Sequence, residues 1–453
     1  MRRLTTLILA LIVSWAAIAQ SPEAVLESIR KYPNLAFPIA STYPGIPFGE
    51  IEKAPEGFSP FYFSLVGRHG SRYEQNDKSM RVAKDFLGKA DSLGILTPDG
   101  KLLYKKIVEI YNAQQGNDGE LSPLGFEQWT AIGERAYANF KQVFDSGSIE
   151  AKSSISLRCV FSMATFNNTL KGKNPNIKIS QHARQSELWI IRPLANDPKA
   201  SEEAKELARK HRAEGSWNEA IKEMDKHYDA SSFLSKITTD NKMFLKECGA
   251  KYPFRALRYA FRVLLFGENF GHGDRELLTR LFTPEEMYGV YVYFTSKWVN
   301  HTMGRGDEYV EMRQSHMKPM VDDIINKAQA AIDGKNPDVA NLRFTHDSYV
   351  GPLLSVMGYE GCVPQWNEDI EIAATSFNHG VMVPMAANLQ IVLYRNKQGK
   401  VLVRSLINER DAYLPIKCKT APFYPWSDFC KYVNSNVKHL CDTQEKILKR
   451  AGK

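Results

Sequence analysis

Hydrophobic and polar positions along the chain follow two periods, one typical of strands and one typical of helices. Short apolar or alternating runs predict strands at 61–66, 155–162, 342–346, 388–394 and 401–407. The last two flank a glycine-containing turn at 396–400, which is the pattern of a β-hairpin. Helical spacing and runs of helix-forming residues predict helices at 80–93, 123–144, 201–210, 254–266, 284–299 and 311–332.

The order of these elements predicts the fold class. Strands early and late in the chain, with helices between them, indicate an α/β core interrupted by a mostly α-helical part. We assign the core to residues 20–184 and 336–453, and a helical insertion or cap to 185–335. Residues 20–60 are rich in proline, glycine and aromatic residues, so we expect an extended segment that wraps the core.

The composition is that of an ordinary globular protein with a mild positive charge. Apolar residues make up 43% and charged residues 24% of the chain. The net charge of +8 suits anionic substrates but is too small to indicate nucleic acid. No segment after the N-terminal region is long and apolar enough to span a bilayer. We therefore expect a phosphorylated small molecule as the partner, and neither nucleic acid nor a membrane span; the oligomeric state stays open.

The N-terminus has the pattern of a secretory signal. Arg2-Arg3 precede an apolar run at 4–16, and Ala17-Ile18-Ala19 follow it. A basic start, a short apolar run and a small-x-small triplet predict a signal peptide at 1–19, cleaved near Ala19. No cysteine follows the run, so a lipoprotein anchor is not indicated. We expect an exported protein, periplasmic or secreted.

Six cysteines raise the question of disulfide bonds. They are Cys159, Cys248, Cys362, Cys418, Cys430 and Cys441. An oxidising compartment permits bridges, and a Cys418–Cys430 loop is one possibility, but spacing alone does not give the connectivity.

The strongest chemical signal is Arg68-His69-Gly70-Ser71-Arg72, directly after the first predicted strand. Arginine forks bind phosphate oxygens, and a neutral histidine nitrogen between them is a nucleophile for phosphorus. Open α/β sheets bind ligands at the carboxyl ends of their strands, where this segment would lie. The alternative is a surface turn with two solvated arginines; the full motif after a strand favours a phosphate site.

Three further segments extend the pattern. Arg158 begins Arg-Cys-Val-Phe-Ser-Met-Ala at the end of a strand-like stretch, His346-Asp347 ends another strand, and 120–128 opens a helix with Glu-Leu-Ser-Pro-Leu-Gly. Together with the opening motif, they resemble the histidine acid phosphatase family, and specifically its multiple inositol polyphosphate phosphatase and phytase branch. The resemblance extends discontinuously from about residue 60 to residue 430, and includes segments 352–359 and 384–389.

The resemblance implies a fold and a set of roles. The fold would be a phosphoglycerate mutase-like three-layer core, with a mixed sheet flanked by helices and a helical inserted cap. His69 would be the nucleophile that forms a phosphohistidine, and Asp347 the proton donor to the leaving alcohol. The phosphate-binding residues would be Arg68, Arg72, Arg158, His346 and, after the motif, Lys78. Neither a metal nor a cofactor is expected. Protonated Asp347 and His346 would give an acid-leaning pH optimum.

Two departures from the family pattern bear on the substrate. Glu74 stands where the family usually has proline, which puts a carboxylate near the mouth of the pocket unless it is turned outward. His346-Asp347-Ser348 replaces the His-Ala-Glu common in inositol polyphosphate phosphatases. We expect hydrolysis of inositol polyphosphates, phytate included. The alternatives are a broad-specificity acid phosphatase acting on sugar or other small phosphates, and a non-catalytic protein that binds phosphorylated ligands.

Other candidate residues are interpreted as structural. His272 lies in a glycine-rich loop, and His379 and the aromatic residues of 285–300 are expected to pack rather than to take part in chemistry.

Overall fold

The centre of the molecule is one mixed β-sheet. The computed structural model describes residues 21–48, 51–193, 216–303, 316–365 and 367–450. The strands are β1 (Ser59–Arg68), β2 (Ser148–Ser153), β3 (Lys178–His182), β4 (Asp338–Thr345), β5 (Asn388–Arg395), β6 (Val401–Ile407), β7 (Arg410–Ala412) and β8 (Phe423–Pro425). Their order is β3-β2-β4-β1-β5-β6, and β7 and β8 both pair with the far edge of β6. β3, β2, β4 and β1 run parallel, whereas β5 and β6 are antiparallel additions.

Helices surround the sheet and form a separate layer beyond it. They are α1 (Pro22–Lys31), α2 (Lys78–Ser92), α3 (Pro98–Gln114), α4 (Pro123–Asn139), α5 (Lys141–Phe144), α6 (Leu157–Lys173), α7 (Leu188–Ile191), α8 (Ser216–His227), α9 (Ser231–Ile237), α10 (Asn241–Glu247), α11 (Pro253–Glu268), α12 (Arg275–Leu281), α13 (Pro284–Trp298), α14 (Lys318–Ile332), α15 (Asp347–Val356), α16 (Ile370–Thr375), α17 (His379–Met382) and α18 (Trp426–Arg450). Short 3-10 turns occur at Pro33–Ala36, Pro38–Ala40 and Gln185–Glu187, and a π turn at Val299–Met303.

Both faces of the sheet are buried, which explains why its strands are apolar almost throughout. On one face Phe63 and Phe344 pack with α4, α5 and α6 around Trp129. On the other, α14 lies against β1 and β4, and Tyr62 belongs to the larger core that continues into the helical layer. The predicted fold class, a mixed sheet flanked by helices with a helical cap, is confirmed.

Strand register sets the position of the site. β1 pairs with β4 so that Arg68 lies beside Thr345, and β2 pairs with β4 so that Ser153 lies beside Phe344. The carboxyl ends of three parallel strands therefore stop at one level, and the residues that follow them meet at one edge of the sheet.

The strand predicted at 155–162 is wrong. β2 ends at Ser153, and α6 begins at Leu157. Cys159, Met163 and Phe166 are buried at spacings of four and three, which is one face of a helix. The apolar run resembles a strand because a short run does not distinguish the two periods.

The N-terminal segment is also more regular than predicted. Residues 22–31 form a helix whose N-terminus is capped by the Ser21 hydroxyl, which accepts the Ala24 N–H, and proline occupies the first helical position. The extended segment is limited to the residues after the 3-10 turns. The helix predicted at 123–144 is divided at Phe140 into α4 and α5. The predictions for 1–19 and 201–210, and the first part of 311–332, lie outside the described residues.

The boundary of the helical insertion stays a prediction. α11, inside 185–335, packs against α2 and α3, which precede residue 185. All six cysteines are free thiols, so the suggested Cys418–Cys430 bridge is not formed. None of the helices in the described ranges is long and apolar enough to cross a membrane.

Candidate active site

The strand ends bring two histidines and three arginines together. His69 follows β1 and His346 follows β4, and their ring centroids are 5.5 Å apart. The His69 N–H donates to the Thr345 carbonyl at 3.1 Å, which continues the pairing of the two strands. Arg158 arrives from β2 as the second residue of α6, with its Nη2 3.5 Å from His346 Nδ1. Together with Arg68 and Arg72 of the motif, these residues form one cluster around His69.

Two glycines let the motif loop sit on the start of α4. A Cβ on Gly70 would lie 2.6 Å from the Gly125 carbonyl oxygen, and one on Gly125 would lie 2.2 Å from the Ser71 oxygen. Only glycines permit this approach. The Ser122 N–H also donates to the Ser71 carbonyl at 2.9 Å. The Leu-Ser-Pro-Leu-Gly segment therefore supports the loop that carries His69.

Buried polar side chains hold the loop from the other side. The Ser71 N–H donates to Gln128 Oε1 at 2.8 Å, and its hydroxyl donates to Asn269 Oδ1 at 2.8 Å. The Gly70 N–H donates to the Ser162 hydroxyl at 3.0 Å. Asn269 lies after α11, and nothing in the local sequence marks it for this task.

The His69 ring is held in one tautomer. Its Nδ1 lies 2.9 Å from the Gly70 carbonyl oxygen. Because a carbonyl oxygen only accepts, Nδ1 carries the proton and Nε2 keeps its lone pair. Burial first, and then the charges of Arg68 and Arg72, hold the pKa of His69 well below its ordinary value. The neutral form of His69, with a lone pair on Nε2, is therefore favoured in this site.

The three arginines present unsatisfied donors. Arg68 is anchored by its Nη1 to the Val383 carbonyl at 2.6 Å and by Nη2 to the Ile39 carbonyl at 2.8 Å. Arg72 donates to the Tyr73 carbonyl at 2.7 Å. In each of Arg68, Arg72 and Arg158, Nε is buried and has no hydrogen-bond partner in the described part of the chain. Three buried donors without acceptors indicate a site made for an anion.

The arginines lie close enough together to lower the pKa values of Arg68 and Arg72. Burial and the charges of Arg68 and Arg158 lower the pKa of Arg72 to about 9. Burial also lowers the pKa of Arg68, although Asp347 works in the opposite direction. An anion bound among them would relieve both effects.

Asp347 is the first residue of α15 and faces this cluster. Its Oδ2 accepts the Trp298 indole N–H at 2.9 Å, and its Oδ1 lies 3.8 Å from Arg68 Nε. Burial alone would raise the pKa of Asp347, but Arg68 and the Trp298 hydrogen bond outweigh it, and the pKa is lowered. Burial, followed by Arg158, lowers the pKa of His346.

These directions concern the ligand-free site, where the lowered pKa values favour an Asp347 carboxylate and a neutral His346. The protonated Asp347 and His346 that the family resemblance implies belong to the working site with its ligand. A phosphate dianion beside them would raise both pKa values, so their protonation in the complex stays a prediction.

Lys78 makes no hydrogen bond or ion pair with the cluster among the described residues. Its side chain is exposed at the first position of α2, and its N–H donates to Asn76 Oδ1 at 3.2 Å. Its amino group takes no part in the hydrogen bonds among the described residues of the cluster, so its assignment stays a prediction.

Glu74 is turned inward. It is 4% exposed, and its Oε1 accepts the Arg262 Nε–H at 2.8 Å and also contacts Arg262 Nη2. Gln114 clamps the Glu74 backbone through two hydrogen bonds of 2.9 Å. The carboxylate therefore forms an ion pair with Arg262 of α11 and is not an exposed charge at the mouth of the pocket.

Sequence reasoning missed several neighbours of the site. Ser154 Oγ lies 3.3 Å and Cys159 Sγ 3.8 Å from His346 Nε2, and the charge of Arg192 lowers the His346 pKa further. Trp298 belongs to the aromatic stretch that the sequence pattern assigns to packing. No local sequence pattern identifies these residues as neighbours of the site, because each contact joins segments that lie far apart in the chain.

Comparison with known proteins gives concordant results. The sequence profile of the histidine phosphatase superfamily (branch 2) matches residues 63–408. A thiamine-repressible acid phosphatase of Schizosaccharomyces pombe is 22% identical over 433 residues, covering 86% of this chain and 84% of that protein.

Solved structures share the fold. The multiple inositol polyphosphate phosphatase of Bifidobacterium longum, in complex with inositol hexasulfate, superposes with a TM-score of 0.71 at 16% identity, over 88% of this chain and 97% of that one. The phytase from D. castellii superposes with a TM-score of 0.62 at 17% identity, over 89% of this chain and 85% of that one. The profile match spans most of the chain and includes both histidine segments, so the resemblance predicted from the sequence is confirmed: the protein belongs to branch 2 of the histidine phosphatase superfamily and is a phosphomonoester hydrolase.

Proposed function

We propose that the protein hydrolyses phosphomonoesters through a phosphohistidine formed on His69. One observation carries the proposal: a histidine Nε2 with a free lone pair lies among three buried arginine Nε–H groups without acceptors in the described part of the chain. A phosphoryl group needs an in-line nucleophile and neutralisation of the charge on its three equatorial oxygens. The cluster supplies both.

In the first step His69 Nε2 attacks phosphorus, and the bond from phosphorus to the substrate oxygen breaks. Arg68, Arg72 and Arg158 bind the equatorial oxygens, and His346 adds a fourth contact. The departing alkoxide takes the proton of Asp347 and leaves as the alcohol.

In the second step a water attacks the phosphohistidine. Asp347, now a carboxylate, accepts the proton of that water, the N–P bond breaks, and inorganic phosphate and neutral His69 are restored. Asp347 must be protonated for the first step and ionised for the second. Because the free-enzyme pKa of Asp347 is lowered and bound phosphate raises it, an acid-leaning optimum arises in the complex.

As substrates we propose inositol polyphosphates, phytate included. The three arginines bind the phosphoryl group being cleaved, and Lys78, exposed beyond the motif, is assigned to a further phosphate of the same ligand. The fold is shared with proteins described as an inositol polyphosphate phosphatase and a phytase.

A second candidate is a broad-specificity acid phosphatase. Glu74 neutralises Arg262 beside the pocket, which removes a cation that a polyphosphate could use, and the S. pombe relative is an acid phosphatase. We also propose export, on the basis of the signal-like N-terminus.

Two experiments test these proposals. Quenching the reaction with a phosphate-labelled aryl ester in alkaline detergent, in which the N–P bond survives, should trap label on the wild type and none on His69→Ala; label retained on that variant would refute the nucleophile. Phosphate release from phytate compared with p-nitrophenyl phosphate separates the substrate classes. A kcat/KM for phytate well below that for the aryl ester would favour the broad-specificity enzyme.

A further inference from the structure

Trp298 ends α13, in the helical layer, yet its indole lies against the helix that begins with Asp347. A Cβ on Gly351 would lie 2.5 Å from the Trp298 ring, so the absence of a side chain there makes room for the indole. Gly351 is four residues after Asp347, one helical turn along α15. The ring thus packs on the second turn and directs its N–H to the first.

A second ring fixes the indole from behind. His379 is fully buried and stacks on Trp298 with a centroid distance of 4.3 Å. Its Nδ1 lies 2.9 Å from the Thr295 hydroxyl, which belongs to α13 as well. Burial lowers the pKa of His379 to about 3, so this support stays neutral over the working range.

The two oxygens of Asp347 therefore have different surroundings. Oδ2 accepts the Trp298 N–H at 2.9 Å, whereas Oδ1 faces the arginine cluster, 3.8 Å from Arg68 Nε. A carboxyl group rotates readily about its last bond, and a hydrogen bond to one oxygen restricts that rotation.

We infer that Trp298 is a positioning residue for the proton donor, which locks Asp347 so that Oδ1 carries the proton to the leaving oxygen and later receives one from water. This rests on the proposed function of Asp347. It goes beyond the family pattern, because Trp298 lies in no motif that carries the resemblance.

The charged and titratable groups facing Asp347 are Arg68 and Arg72 on the β1 side, His346 beside it, and His379 behind the indole. The arginines remain charged and His379 remains neutral between pH 4 and pH 7, where assays would run, so they add no titration of their own. The Trp298 N–H favours the carboxylate, and its removal should raise the pKa of Asp347.

The test is Trp298→Phe, which keeps a ring against His379 and removes the N–H. On glycerol 2-phosphate, whose alkoxide needs a proton, kcat at pH 4 should fall about tenfold, a fraction of the ~100-fold or more that a complete general acid contributes. The deficit should shrink towards pH 6, because the descending limb of the kcat profile, which reports the complex, moves up by about one pH unit. On p-nitrophenyl phosphate the loss should stay below about threefold, since that leaving group needs no proton.

A matched control is Trp129→Phe. Trp129 is also fully buried, but its Nε1 has no hydrogen-bond partner among the described residues. That variant should change kcat on the two substrates by the same factor and should not shift the pH profile. Trp298→Gln, which keeps a donor without the indole, should lie closer to the wild type than Trp298→Phe in its pH profile.

Equal losses on both substrates with an unmoved profile would overturn the inference and leave a structural role. If Trp298→Phe does not fold, the indole N–H resonance of Trp298 in the wild type decides: it should titrate with pH and should not do so in Asp347→Asn. A resonance that titrates in neither protein would refute the contact. An inactive wild type with no trapped phosphohistidine would instead overturn the proposed function.

Discussion

Replacing Glu74 with glutamine removes one negative charge from the wall of the anion site. Glu74 is 4% exposed and pairs with Arg262, and its charge also acts on Arg72 two residues away. Glutamine keeps an oxygen acceptor for the Arg262 Nε–H, so the change is chiefly electrostatic. The freed positive charge remains beside the pocket.

The magnitude follows from Coulomb's law. If the Glu74 carboxylate is taken to lie about 8 Å from the bound phosphate, with an effective dielectric constant of about 40, one unit charge contributes about 1 kcal/mol for each charge on the ligand. Inorganic phosphate as a dianion should then bind about 2 kcal/mol more tightly, or roughly 30-fold. Without an anion, the variant should be less stable by up to about 3 kcal/mol, because a buried ion pair has lost one partner.

The assay is competitive inhibition by phosphate of aryl phosphate hydrolysis, together with thermal unfolding at several phosphate concentrations. Compared with the wild type, Glu74→Gln should have a lower Ki for phosphate and a lower melting temperature without phosphate. Its melting temperature should increase more than that of the wild type when phosphate is added. High salt should reduce the difference.

Asp225→Asn is the matched control. Arg258 precedes Arg262 by one turn of α11, and it pairs with Asp225 at 2.5 Å. This variant should lose stability comparably but keep the wild-type Ki. If Glu74→Gln leaves Ki unchanged, or weakens phosphate binding, then Glu74 does not compensate the charge of the anion site and the reasoning is wrong.

Two further predictions concern the loop and acid stability. Gly70→Ala should abolish phosphohistidine trapping and lower the melting temperature, because its Cβ would lie 2.6 Å from the backbone of Gly125; a folded, active variant would contradict that contact. The pKa values of His69, His346 and His379 are all lowered, so the unfolded chain binds more protons than the native protein below about pH 6.5. As the pH is lowered from about 6.5 towards 3, the free energy of unfolding should therefore decrease by up to about 1.4 kcal/mol per histidine per pH unit. Bound phosphate should make this decrease smaller. Denaturant titrations at pH 7 and pH 5 measure this, and a stability that rises towards pH 5 would refute the neutral histidines.

Local pattern predicted much of the candidate site. The strand before Arg68, the glycines of the motif and the Ser-Pro start of α4 are each read from a few adjacent residues, because strand period, turn conformation and helix capping are short-range properties. The same reasoning failed at 155–162, where a short apolar run fits either period and only burial of Cys159, Met163 and Phe166 on one face identifies the helix.

Long-range contacts decided what the motif residues do. Glu74 meets Arg262, 188 residues away, and Asp347 meets Trp298, 49 residues away. The directions in which the pKa values of Asp347 and His346 shift in the free protein follow from such neighbours and from burial. The sequence by itself determined which functional groups are present and that His69 and His346 follow strands. Only the tertiary structure decided their charges, partners and orientation, because electrostatic environment depends on every element packed around a side chain and not on its neighbours in the chain.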